Sequence, residues 1–238
     1  MSEKKTAIVT GAQQGIGAGV VERFLQEGYH VVGTSLDTSR SSTASSRLIL
    51  VDGDIGKQET AVKAVDAAIR NFGSIDVLVN NAGIFIVKPF TEYTVEDFNA
   101  LASVNLLGFL HITQLAVKQM LKQKSGNVVT ITAALADNPI AGVNASVSMI
   151  TKGGLNTITR SLAIEYAKEG IRFNAVAPGV VDTPLHKNNP QENLQTLQPM
   201  GKIASVKEIA DAVFYLAQAE QVTGEVLHVD GGAHSGRW

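Results

Sequence analysis

Cysteine is absent from this 238-residue chain. That excludes disulfides, thiolate metal sites, iron–sulfur clusters and a cysteine nucleophile. Aromatic residues make up only 5%, and the four tyrosines are Tyr29, Tyr93, Tyr166 and Tyr215. Neither charge sign is in excess: 20 basic against 22 acidic side chains give a formal net charge of −2. A protein built around nucleic-acid phosphates needs a basic excess, so no nucleic-acid partner is expected. Long apolar runs are missing too. Only Ala7-Ile8-Val9 separates the charged start from Thr10-Gly11, too short for a signal-peptide core. No stretch approaches the roughly 18 apolar residues of a bilayer span. No membrane association is expected, and the expected compartment is the cytoplasm. The five histidines, His30, His111, His186, His228 and His234, have no metal-ligand spacing with carboxylates, so no metal is expected.

What is present is an apolar share of 45% and 22 glycines, enough for one α/β domain with a sizeable core. Short apolar runs alternate with longer amphipathic ones. Strands are predicted at Ala7–Thr10, His30–Thr34, Leu48–Val51, Val77–Asn80, Val128–Thr132, Arg172–Ala177 and Val226–Val229. Helices are predicted at Ile16–Glu27, Lys57–Phe72, Val95–Lys122, Ser148–Lys168 and Lys207–Ala217. Runs such as Ile75-Asp76-Val77-Leu78-Val79 are nearly continuously apolar, as strands covered on both faces should be. Alternating β and α elements predict a doubly wound α/β fold, a parallel sheet with helices on both sides. The serine-rich stretch from Asp37 to Arg47 reads as an exposed loop where a helix might otherwise lie. A second loop, about 183–205, contains Pro184, Pro190 and Pro199. Residues 1–238 are read as a single domain with this one excursion.

Thr10-Gly11-Ala12-Gln13-Gln14-Gly15-Ile16-Gly17 follows the first strand and opens the first helix. Glycines there permit a tight turn and close backbone approach, and the helix N-terminus offers free N–H groups and a positive dipole end to a pyrophosphate. In that position the string is strong evidence for dinucleotide binding.

The spacing G-x-x-x-G-x-G resembles that of the short-chain dehydrogenase/reductase family. Further matches follow in order: Asp54-Ile55, Asn80-Asn81-Ala82-Gly83, Asn105, Asn174-Ala175-Val176-Ala177-Pro178-Gly179 with Thr183, and Val229-Asp230-Gly231-Gly232. The resemblance spans nearly the whole chain. It implies a Rossmann-like fold with seven parallel strands, a nicotinamide cofactor and a homotetramer built through the Val95–Lys122 and Ser148–Lys168 helices. It assigns cofactor contact to Gly11, Gln13, Gln14, Ile16, Gly17, Ser35, Asp54, Ile55, Asn81, Ala82, Gly83, Lys152, Pro178, Gly179, Val181 and Thr183. The residue after the second strand usually selects the cofactor, an acid favouring NAD and a base NADP. Ser35 stands there. Arg40 and Arg47 nearby in sequence pull toward phosphate and Asp37 pulls away, so either NAD or NADP is expected, with the balance tilted slightly to NADP.

The same resemblance implies hydride transfer between the nicotinamide and a small alcohol or carbonyl, with a tyrosine moving the proton. Lys152 matches the lysine that follows this tyrosine by four residues, but the tyrosine position holds Ser148. Residues four apart share a helix face, so Ser148 is expected in the place of the phenol. The serine position on the preceding strand end falls on Ala133, with Thr132 beside it. An aliphatic hydroxyl is a far weaker acid than a phenol, so the usual relay does not carry over intact. Two repairs are open: Ser148 relaying through water to Lys152 and Asn105, which is preferred, or entry of Asp137, Asn138 or Asn144 from the elongated segment after Ala133. Thr132 would partly replace the lost hydroxyl if that loop is shifted. His186, in the substrate loop, reads either as a substrate contact or as an exposed loop residue. The leading expectation is an NAD(P)-dependent oxidoreductase with a modified relay. The alternative is a non-catalytic dinucleotide-binding protein acting as a sensor or oligomerisation partner.

Overall fold

A computed structural model describes residues 4–39, 41 and 43–236. The elements in chain order are β1 (Thr6–Thr10), α1 (Gly15–Gln26), β2 (His30–Ser35), β3 (Leu48–Asp52), α2 (Gln58–Phe72), β4 (Val77–Asn80), α3 (Val95–Leu101), α4 (Gly108–Gln123), β5 (Gly126–Ile131), α5 (Ser146–Tyr166), β6 (Ile171–Pro178), α6 (Gln191–Gln195), α7 (Val206–Gln218) and β7 (Val226–Val229). The seven strands form one parallel sheet in the order β3-β2-β1-β4-β5-β6-β7.

Alternation along the buried strands feeds two cores, as the period-2 geometry of a strand requires. Ala7 and Val9 of β1 join Val79, Val129 and Val176 beneath α1 and α7. Ile8 joins Val32, Leu78, Val128 and Phe173 beneath α2, α4 and α5. Residues such as Ile8, Val9, Leu78 and Phe173 are almost completely buried, which explains why these runs carry no polar face. Capping boxes start two helices: Thr94 with Asp97 for α3, and Ser205 with Glu208 for α7.

Three details differ from the sequence-based expectations. The helix expected over Val95–Lys122 is α3 and α4 joined by a π-helical segment, Ala102–Leu107. A π-bulge disturbs the ladder without breaking the apolar period, so the pattern reads through it. By length and composition, Val95–Gln123 is the one described helix able to cross a membrane, yet its inner residues Ile112, Ala116 and Met120 are core residues against the sheet. Helix α5 begins at Ser146, two residues before its expected start. The loop 183–205 is partly structured: Pro184 opens a 3₁₀ turn, Pro190 caps α6, and Val181 bridges to Ala204. As expected, the serine-rich stretch contains no helix among its described residues, which do not include Arg40.

The chain order reverses at β1, which pairs with β2 on one side and β4 on the other. In doubly wound sheets the crevice outside the strand C-termini at this reversal is where ligands bind. Here the C-terminal ends of β1, β4, β5 and β6 present Gly11, Asn81, Thr132 and Gly179 to one cleft of about 960 Å³.

Candidate active site

The cleft floor is tied together across the reversal. Thr10 Oγ1 accepts from the backbone N–H of Asn81 (3.0 Å) and of Ala82 (2.9 Å). Asn81 Nδ2 donates to the carbonyls of Thr10 (2.9 Å) and Gly11 (3.2 Å). The turn after β1 is therefore braced by the turn after β4, and the Ala12 N–H donates to the Thr34 carbonyl of β2 (3.1 Å). Thr10 was not singled out from sequence; its signal is a hydroxyl at the buried end of an apolar strand.

The glycine pattern follows from close approach. Gly11 has φ +66°, and a Cβ there would lie 2.8 Å from Asn81 Nδ2 and 3.0 Å from the Ala82 Cα. A Cβ on Gly17 would lie 2.0 Å from the Gly11 carbonyl oxygen, so only glycine lets α1 press onto the turn. Gly15, at φ +55°, faces Thr183 across the cleft. Gln14 at the N-cap of α1 makes no side-chain cap hydrogen bond, and no acid lies in the first turn. A helix start left uncapped in this way, on a glycine-rich turn, fits a pyrophosphate. Gln13, Gln14 and Ile16 border the cleft, whereas Gly17 lies behind it as a packing position.

At the β2 end, Ser35 and Leu36 line the cleft, as do Asp54 and Ile55 after β3. Asp54 Oδ1 accepts from the Gly56 N–H (2.9 Å), so its carboxylate also holds the local turn. Arg47 is a correction. It immediately precedes β3, whose Leu48 pairs with Val31 while Asp52 pairs with Ser35. That places it at the opposite end of the sheet from Ser35, about 15 Å along the strand. Its guanidinium lies beside Gly28 instead. Nearness in sequence misleads here because the strand itself separates the two residues.

Opposite this end, Lys152, Thr132, Ala133 and Gly83 line the cleft. Lys152 is only 8% exposed. Its Nζ donates to the Ile131 carbonyl (2.9 Å), and burial brings its ammonium down to about 8. Asn105 is buried behind the wall, carried by the π-helical segment. Its Oδ1 accepts from the Ile84 N–H (2.9 Å), and its Nδ2 donates to the Ile84 carbonyl (3.1 Å) and to Thr151 Oγ1 (2.9 Å).

Ser148 requires a second correction. Its side chain is fully buried and does not line the cleft. Its Oγ donates to the Ile86 carbonyl (2.9 Å) and accepts from the Ile86 N–H (3.0 Å). The hydroxyl has one proton to donate, and that proton is engaged. Ser148 and Asn105 thus form two reciprocal pairs that hold segment 84–86 against α5 and the π-helical segment. The i, i+4 spacing from Lys152 holds, but the shorter side chain ends on backbone rather than in the pocket.

The other candidates are similarly engaged. Thr132 Oγ1 donates to the Val176 carbonyl (3.4 Å), and Ala133 has no hydroxyl. Asp137 does not enter the cleft: its carboxylate holds His228 Nε2 (2.9 Å) and Asn156 Nδ2 (3.2 and 3.3 Å). Asn138 lines the cleft while its Nδ2 donates to the Ala233 carbonyl (2.9 Å). Asn144 lies outside the cleft. Tyr93 Oη donates to the Ile86 carbonyl (2.6 Å), bracing the same segment from the other side.

The remaining wall contains Pro178, Gly179, Val181, Thr183 and His186. Burial lowers the pKa of the His186 imidazole. Sequence reasoning did not identify the apolar chamber beside it, formed by Ile84, Phe85, Val87, Ile140, Val143, Leu185, Leu194 and Leu197. These residues come from three separate loops, and no linear motif gathers them. Among the described residues no cluster of three or more metal-ligating side chains occurs.

Comparison with known proteins matches this layout throughout. The family model described as enoyl-(acyl carrier protein) reductase matches residues 11–234. The chain is 34% identical to 3beta-hydroxysteroid dehydrogenase 1 of Eggerthella lenta, over 96% of this chain and 93% of the relative. Among solved structures, ElxO with NADP bound superposes with a TM-score of 0.92 at 29% identity, covering 98% of this chain and all of that one. The 3-ketoacyl-(acyl-carrier-protein) reductase of Brucella melitensis, complexed with NADH, gives 0.92 at 30% identity, over 98% and 99% of the two chains. With its sheet order, glycine turn and near full-length match to these proteins, the chain belongs to the short-chain dehydrogenase/reductase family.

Proposed function

We propose that this protein is an NAD(P)-dependent oxidoreductase that moves a hydride between a nicotinamide cofactor and a small alcohol or carbonyl compound, with a proton route that uses no tyrosine. The observation that carries this reading is the uncapped, glycine-rich helix start at Gly11–Gly17, which shares one cleft with the buried amine of Lys152. The turn would hold the pyrophosphate; Ser35, Asp54 and Ile55 would hold the adenosine; Asn81, Gly83, Lys152, Pro178, Gly179, Val181 and Thr183 would hold the nicotinamide half. A bound nicotinamide supplies the hydride chemistry. The chain's own residues orient the reactants, exclude water and handle the proton. Ser35 leaves room for a 2′-phosphate, although Arg47 brings it no charge. The structural neighbours named above carry NADP in one case and NADH in the other.

The chamber of apolar residues supports a substrate whose reacting oxygen sits on an apolar body. Calorimetric titration with NAD, NADH, NADP and NADPH tests the cofactor assignment: binding of at least one is expected, and no heat from any refutes it. A second reading, a cofactor-binding protein without turnover, is favoured by the closed Ser148–Ile86 pair and by Ala133. A broad carbonyl panel with reduced cofactor separates the two readings.

We further propose a homotetramer. Val95, Phe98, Leu107 and Leu110 on the α3–α4 face and Ile150 and Ile164 on α5 are exposed, Ile164 by 81%. Apolar area of this kind supports burial against a second copy. Light scattering is expected to give four times the 25.2 kDa chain mass, and a monomer refutes it.

A further inference from the structure

We propose that Lys152 is itself the acid–base of this site, giving a proton directly to the substrate oxygen and taking it back in the reverse direction. This deepens the oxidoreductase reading above and rests on it. The argument is by elimination, followed by geometry. Every hydroxyl near the family's proton position is missing or engaged: Ala133 has none, Ser148 is closed on Ile86, and Thr132 donates to Val176. The hydrogen bonds of the Asn105 amide go to Ile84 and Thr151. Asp137 is held on His228 and Asn156, away from the cleft.

Lys152 differs from all of these. It reaches the cleft from the rigid helix α5, and one hydrogen bond anchors its Nζ, to the Ile131 carbonyl. An ammonium has three N–H donors, so two remain to point elsewhere. A Cβ on Gly83 would lie 3.2 Å from Lys152 Nζ, and Gly83 itself borders the cleft. Asn105 Oδ1 lies at the same 3.2 Å from that point, so the missing Cβ of Gly83 leaves the amine an approach from the cleft beside the Asn105 amide. No carboxylate pairs with it among the described residues. Burial without a counter-charge is the arrangement that turns a lysine into a usable acid near neutral pH.

The step balances. Hydride from a reduced nicotinamide bonds to the carbonyl carbon. The C=O π pair forms the new O–H bond with a proton from Nζ, and one N–H bond breaks. Lys152 is left as a neutral amine, which solvent reprotonates after the alcohol leaves. In the oxidative direction the amine accepts the alcohol proton.

Three linked measurements on the full chain test this. Calorimetry with the four nicotinamide dinucleotides comes first; if none binds, the oxidoreductase reading itself fails and this proposal falls with it. Next, ¹⁵Nζ NMR of the cofactor-saturated protein, with the Lys152 signal assigned by its loss in Lys152→Arg, is expected to show titration between about pH 7 and 9. Titration above pH 10 overturns the proposal while leaving cofactor binding intact. Last, reduction of a panel of aryl aldehydes and ketones is followed against pH. The rate is expected to fall above the pKa measured by NMR. Lys152→Arg, which keeps the charge but cannot release a proton, is expected to lose about 10²–10⁴ in kcat with cofactor still bound. Ser148→Ala and His186→Asn, whatever their effect on rate, are expected to leave the pH at which the rate falls unchanged. A profile that moves with His186→Asn, a Lys152→Arg enzyme that retains its rate, or a wild type that binds cofactor and reduces no member of the panel would each overturn it.

Discussion

The two ends of the cleft are built on different principles. At the glycine-turn end the backbone packing sets the shape, and the glycines matter by having no side chain: Gly17 cannot carry even a Cβ beneath the Gly11 carbonyl. At the proton end the surface is a few side-chain atoms, and function depends on where each one points. Ser148 stands four residues before Lys152 on α5, yet its oxygen is bound to Ile86 on both its donor and acceptor sides. Spacing alone is enough to expect the first kind of site. It is not enough for the second kind, because a shorter side chain at the same position reaches different neighbours.

The sharpest way to break the comparison is Gly17→Val. The added carbons must displace backbone, which costs about 1–3 kcal/mol or more, and nicotinamide dinucleotide affinity is expected to fall at least about 100-fold. Calorimetry and thermal unfolding read both effects; retained affinity would mean that the turn is not the phosphate site.

Next in size is the buried lysine. Folding lowers the Lys152 pKa from 10.5 to about 8. Between those values the unfolded chain binds more protons than the folded one, so stability rises with pH across this window. The charged form costs the ligand-free fold about 3 kcal/mol below pH 8, relieved by pH 10.5. Urea unfolding of the wild type minus that of Lys152→Met is expected to show this rise, and a flat difference would place the amine in a solvated setting.

Ser148→Ala leaves the Ile86 N–H without its partner, while the Ile86 carbonyl keeps Tyr93 Oη. It is expected to cost about 1–2 kcal/mol in chemical denaturation and to leave cofactor affinity within a few-fold. A severe loss of turnover with no loss of stability would return Ser148 to the proton path. The smallest effect is a control remote from both ends: Ser205→Ala removes the capping box of α7, at about 1 kcal/mol of stability, with cofactor binding unchanged.

Much of the fold was legible because strands buried on both faces need continuous apolar runs, and those runs are short and well separated. All seven expected strands are present, with ends shifted by at most two residues. The glycine turn was legible because close approach admits one residue type. The π-helical segment was not, since it preserves the apolar period of the helix it interrupts. Helix α6 was hidden because five residues are too few to display a period. Arg47 is near Ser35 in sequence, but strand register places it at the far end of the sheet.

By itself, the amino-acid sequence determined the doubly wound sheet, the glycine turn that opens α1 and the presence of a serine, not a phenol, four residues before Lys152, since each depends on residue type and spacing along one element. The tertiary structure alone decided that the Ser148 hydroxyl is closed on Ile86 and that Asp137 is drawn to His228. It also decided that Lys152 meets the cleft with one anchored hydrogen bond, and that three loops gather an apolar chamber beside it. The physical reason is range. Turn and strand propensities act within a few residues, whereas the partner of a buried polar atom is set by whatever distant segment the packing brings to it.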